Sequence, residues 1–130
     1  TPNIAGGIVL GVAIDYLNQI GFENIEAYEQ ELLDYGTLRL QEFDGIEFYG
    51  TSEHKASVIS FNFTGIHPYD VGAIIDKLGV AVRTGHHCAQ PIMNYFNIPG
   101  TIRASFAFYN TKEEIDIFIE ALQKAKTMLS

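Results

Sequence analysis

Two short stretches alternate apolar and polar residues, and they limit the chain to folds containing a sheet with one covered face. In residues 57–63, Ile59, Phe61 and Phe63 fall on one side and Val58, Ser60 and Asn62 on the other. In residues 102–108, Ile102, Ala104, Phe106 and Phe108 share a side, which turns Arg103 to the opposite one. Shorter strands are expected at residues 46–49 and 80–83. In the second of these Val80 and Val82 share a side and Arg83 points away.

The intervening segments have helical spacing. Helices are expected over about 5–19, ended by Gly21, and over about 25–43, with acids crowding its first half and Asp44-Gly45 as a turn. Residues 68–78 begin with Pro68, carry the stripe Val71, Ile74, Ile75 and Leu78, and stop at Gly79. Residues 91–96 read as a loop or short helix. Thr111-Lys112-Glu113-Glu114 is a capping box, and Ile115, Phe118, Ile119, Leu122, Ala125 and Leu129 line one face of the last helix. The order ααββαββα gives an α+β fold: a small antiparallel or mixed sheet with helices packed on one face. Arg83 and Arg103 then project from the open face, within reach of the segment that follows residue 83. Such a face looks like half of a site.

Composition closes off several functions. The 130 residues suit a single domain, residues 1–130. Sixteen acidic residues against eight basic ones argue against a nucleic acid or an anionic membrane as partner. The apolar run 4–14 is broken by three glycines, is shorter than the roughly 18 residues of a membrane span, and lacks the basic flank of a signal peptide. A single cysteine permits no internal disulfide, which fits a reducing cytoplasm. A chain opening on Thr1-Pro2-Asn3 without an initiator Met reads as a piece of a longer protein.

That cysteine, Cys88, lies in Arg83-Thr84-Gly85-His86-His87-Cys88-Ala89-Gln90-Pro91. Between Lys77 and Lys112 there is no Asp or Glu, yet the window holds two of the three arginines and two of the four histidines. A thiol among cations and away from anions is in a setting that promotes reactivity. A buried structural cysteine is the plainer alternative, but Gly85 and the polar neighbours favour a chemical site on an exposed loop. A histidine beside Cys88 reads as a proton carrier or thiol partner. Two adjacent histidines seldom point the same way, so one of them packs or hydrogen-bonds in the loop. Adjacent residues do not converge on one tetrahedral ion, and no metal site is expected. Arg103 suits a substrate carboxylate; Arg83 could do the same or hold the cysteine loop through backbone carbonyls, and the second role is the expected one.

The motif 83–91, followed by Arg103-Ala104-Ser105 and by Tyr109-Asn110-Thr111 with Glu113-Glu114-Ile115-Asp116, resembles the C-terminal part of group II cysteine desulfurases, the SufS- and CsdA-type enzymes, with selenocysteine lyases as near relatives. Thr1-Pro2-Asn3 with Gly6-Gly7, Tyr28-Glu29 and Tyr69-Asp70-Val71 also fit, so the likeness spans the chain. It implies the C-terminal small domain of a fold type I enzyme that uses pyridoxal 5'-phosphate as a homodimer. It further implies that Cys88 attacks the sulfur of a cysteine–cofactor adduct, leaving L-alanine and a Cys88 persulfide for iron–sulfur cluster assembly. By the same likeness Arg103 grips the substrate carboxylate, Arg83 and His86 support the cysteine loop, and Thr1 reaches the cofactor phosphate of the partner subunit. L-Cysteine, or L-selenocysteine, is the implied substrate, and a SufE- or SufU-type protein the implied sulfur acceptor. The family's cofactor lysine, stacking histidine and ring-nitrogen aspartate lie in a preceding large domain that this sequence lacks. None of Lys55, Lys77, Lys112, Lys124 and Lys126 matches the lysine's context. By itself the chain is therefore expected to be inactive and to bind no pyridoxal phosphate. The alternatives are a stand-alone sulfur-carrier and interaction domain, and a structural piece whose thiol is inert.

Overall fold

The computed structural model describes residues 2–130. Nine elements follow in order: α1 (Ile4–Ile20), α2 (Phe22–Leu40), β1 (Ile46–Tyr49), β2 (Val58–Phe63), α3 (Pro68–Lys77), β3 (Arg83–Gly85), α4 (Gln90–Phe96), β4 (Thr101–Ser105) and α5 (Lys112–Leu129). The strands form one sheet in the order β1-β2-β4-β3, and every pair is antiparallel. The α+β expectation holds, with the sheet antiparallel rather than mixed and the segment before β4 a short helix.

One face of the sheet is covered. Ile59, Phe61, Phe63, Ile102 and Ala104 are buried against Leu32, Leu33 and Leu40 of α2, Val71 and Ile75 of α3, and Ile115, Phe118 and Leu122 of α5. The strand residues and those of α3 and α5 are positions that the two periodicities place inward. Each fully buried large apolar side chain contributes roughly 1.5–3 kcal/mol. The start of α5 is fixed by its capping box: the Glu114 amide donates to Thr111 Oγ1 and the Thr111 amide to the Glu114 carboxylate. Tyr28 and Tyr35 of α2 tie the two helices by donating to the Asn110 carbonyl at 3.0 Å and to Asp116 at 2.8 Å.

α1 is different. Gly21, at φ 90°, both ends α1 and starts α2, which turns away by 76°. No residue of α1 is buried, and Ile4, Ile8, Val9, Leu10 and Val12 are each more than 60% exposed. Among the described residues no single helix is long and apolar enough to cross a membrane.

Two strand assignments shift, each because backbone groups are committed elsewhere. The expected strand 80–83 begins only at Arg83. Val80 N–H donates to the Ile75 carbonyl and Gly79 N–H to that of Asp76, with Gly79 at φ 84°. This closes α3 in a Schellman turn and withholds Val80 from the sheet. The expected strand 102–108 ends at Ser105. Beyond it, Ala107 N–H donates to Asn110 Oδ1 at 2.9 Å and Phe108 N–H to Glu29 Oε1 at 3.1 Å, so side chains replace the ladder. α2 likewise begins at Phe22 and stops at Leu40, unwinding through Glu42→Arg39 and Phe43→Leu40 bonds.

Candidate functional site

The open face carries a row that crosses all four strands. Tyr49 pairs with Ser60, Ser60 with Arg103, and Arg103 with Arg83, so these side chains share one face. Their neighbours Ile102 and Ala104 are buried on the other face. Both arginines therefore project where strand alternation places them. Directly opposed like charges on neighbouring strands repel, and among the described residues neither arginine forms a salt bridge. Arg103 Nε is buried without a hydrogen-bond partner. A planar anion such as a carboxylate would offset the repulsion and satisfy such donors.

Cys88 lies between β3 and α4 and is exposed, beside this row. Arg83 Nη2 is 4.0 Å from its sulfur. Among the described residues Arg83 donates to no loop carbonyl, the route expected for it, and its polar contact with the loop is this approach to the sulfur. His86 contacts the loop backbone: its Nδ1 accepts the Cys88 N–H at 3.1 Å, and its carbonyl accepts from Ala89 at 2.8 Å. The loop backbone is strained: His87 and Cys88 both have left-handed φ, 52° and 59°. Each such non-glycine residue costs ~1–2 kcal/mol and persists only where its surroundings fix it.

The side chain of His87, to which no separate role falls by sequence, points inward. Its Nε2 lies 2.9 Å from Thr101 Oγ1 and 3.2 Å from the Thr101 carbonyl, while its Nδ1 is buried without a partner. Burial first, then the charge of Arg103, hold its pKa below the ordinary histidine value, against the opposing bond to Thr101. Arg83 and His86 push the same way. Imidazole NMR should thus find His87 titrating below 6.5. Since folding lowers this pKa, protonation favours the unfolded chain. The stabilisation is intact above that value and fades as pH falls beneath it. A His87 titration at or above the ordinary value would refute this.

The loop is also held by close backbone packing where β3 meets β4. A Cβ on Gly100 would come within 2.6–2.7 Å of the Gly85 backbone, and the Gly100 carbonyl accepts from Asn62 Nδ2 at 2.8 Å. Gly100→Ala should cost about 1–3 kcal/mol, read as a lower urea midpoint. An unchanged midpoint would mean that the junction is slack.

On the edge of the face, Phe96 of α4 meets Tyr49 edge-on at 5.3 Å. Burial and the bond to Glu47 raise the Tyr49 pKa, so it stays a neutral donor. Among the described residues no three His, Cys, Asp or Glu side chains converge to hold a metal ion. Nor is any lysine buried: Lys77 and Lys124 are exposed, Lys55 and Lys126 donate to the carbonyls of Gly50 and Asp44, and Lys112 pairs with Glu31. These do not fit the desolvated amine that a pyridoxal Schiff base requires. Thr1, the residue expected at the cofactor phosphate, lies outside the described residues.

Residues 1–118 match the family model for aminotransferase class V. The chain belongs to the aminotransferase class-V family. Within that family it is 50% identical over 129 residues to a probable cysteine desulfurase of Xylella fastidiosa, covering 99% of this chain and 31% of that protein. It is 50% identical over 131 residues to one of Staphylococcus aureus, covering all of this chain and 32% of the other. The chain thus spans about a third of the length of these class-V relatives. The same fold occurs in the crystal structure of the cysteine desulfurase CsdA from Escherichia coli, in its S-sulfonic acid form. That likeness has a TM-score of 0.92 at 32% identity, over 100% of this chain and 32% of that one. The apo cysteine desulfurase of Thermococcus onnurineus NA1 also gives 0.92, at 42% identity over 99% of this chain and 32% of the other.

Proposed function

We propose that this chain is the C-terminal small domain of a pyridoxal-phosphate-dependent, SufS-like cysteine desulfurase, and that Cys88 accepts sulfur from L-cysteine. The observation that carries this is the placement of an exposed Cys88 thiol, 4.0 Å from Arg83 Nη2, beside the opposed Arg83–Arg103 pair on an open sheet face. Names of relatives at 46–50% identity point the same way.

In this reading Arg103 binds the substrate carboxylate in bidentate fashion, in the cation-rich, acid-free part of the chain. Arg83 and His86 keep the thiol facing outward. In the net reaction the substrate's carbon–sulfur bond is exchanged for a sulfur–sulfur bond to Cys88, and the carbon takes up a proton to give L-alanine. The cofactor's binding groups belong to other parts of the enzyme, since the lysines here do not fit it. An exposed sulfur suits hand-over to the thiol of a SufE- or SufU-type protein in a reducing cytoplasm. The uncovered apolar helix α1 suits packing against a large domain or a second subunit. The test is to give the full-length, cofactor-loaded protein L-cysteine with a thiol reductant. Alanine and sulfide in equal amounts are expected, and absence of alanine would sink the proposal.

A further inference from the structure

We propose that His87 is the positioning residue that sets the orientation of Cys88, through the bond from its ring to Thr101. This rests on the reading of Cys88 as the sulfur acceptor.

Two left-handed residues in succession need a fixed point, and among the described residues the loop offers three polar contacts from side chains. Arg83 to the sulfur and His86 to the Cys88 amide both involve exposed side chains, which water competes for. The third, His87 to Thr101, ends on a residue that is only 1% exposed at the start of β4, two positions from Arg103. It is therefore the contact least open to exchange with water. It also ties the loop to the strand that presents the carboxylate-binding guanidinium, so thiol and guanidinium keep a fixed relation. The Thr101 carbonyl can only accept, so a bond to it needs the proton on Nε2 and leaves Nδ1 bare, whereas Thr101 Oγ1 can accept or donate. That matches an Nδ1 with no partner beside the Arg103 charge, which disfavours a second ring proton.

The test compares His87→Ala, His87→Gln and Thr101→Val in the full-length protein. Without substrate, hydrogen exchange at the Cys88 and Ala89 amides should speed up about tenfold in His87→Ala, the effect of one lost buried bond. Glutamine reaches Thr101 with an N–H donor and should restore most of the protection. Thr101→Val keeps the strand packed and loses only the hydroxyl, so exchange should rise severalfold. In turnover, His87→Ala should lower kcat at least tenfold with KM for L-cysteine within about twofold, because binding lies with Arg103. Unchanged exchange in His87→Ala and Thr101→Val, or a glutamine variant as impaired as alanine, would overturn the proposal. If wild type forms no alanine, the desulfurase reading fails, while the exchange measurements still decide whether His87 positions Cys88.

Discussion

Cys88→Ser in the full-length protein is expected to abolish formation of alanine from L-cysteine while leaving substrate binding near that of wild type. The two functions fall on different residues. In the proposed reading the carboxylate is held from β4, by Arg103, while the thiol stands on the loop after β3. A serine hydroxyl fits the same space, so the left-handed loop and the His86 contact to the residue 88 amide survive. It has almost no anion at neutral pH and little affinity for sulfur, so the sulfur has nowhere to go. Loss of at least a thousandfold in kcat is the expected result, measured as alanine released, with a binding constant for cysteine changed by less than about threefold. A serine variant that delivers sulfur at the wild-type rate would remove Cys88 from the mechanism.

Arg103→Ala should give the converse pattern. Removing a charge-assisted, bidentate contact weakens binding by about 2–3 kcal/mol, on the order of a hundredfold in KM for cysteine. Arg103→Lys should recover only part of this, since an ammonium cannot present two parallel donors. The fold should not suffer, because Arg103 faces Arg83 across the strand pair and its removal relieves a repulsion. Unfolding midpoint and substrate affinity, taken on the same preparation, separate these effects. An alanine variant with unchanged KM would mean that the carboxylate is held elsewhere.

The covered half of the molecule was legible in the sequence because its pattern is geometric. Periods of two and of 3.6 residues placed Ile59, Phe61, Phe63, Ile102, Val71, Ile75 and the α5 stripe on inner faces, and these are buried except Leu129; of the other expected inner positions Ile74, Phe106 and Phe108 are half-buried and Leu78 is exposed. The same alternation put Arg83 and Arg103 outward, and the Gly85 to Pro91 stretch marked an exposed loop. What the pattern missed were competitors for backbone hydrogen bonds. Val80 looks like a strand residue until its amide is taken by the end of α3, and residues 107–108 until Asn110 and Glu29 take theirs.

The role of His87 lay beyond sequence for a related reason. His86 and His87 are chemically identical neighbours, and only the left-handed turn decides which ring goes out and which reaches Thr101. Nor could helical periodicity tell that α1 is left uncovered: its apolar residues run around the helix, which is the signature of a helix buried on several sides. Neither reading of Arg83, as carboxylate ligand or as holder of loop carbonyls, includes the 4.0 Å approach of its Nη2 to the sulfur, which the motif alone does not specify.

The most direct measurement of the central claim is the mass of the peptide that carries Cys88, after the cofactor-loaded, full-length protein meets L-cysteine with no acceptor present. The account predicts that this peptide becomes heavier by one sulfur atom in step with alanine formation, that alkylation of the thiol beforehand blocks both, and that added reductant removes the extra sulfur. Alanine formed in repeated turnovers with Cys88 unmodified throughout would contradict it.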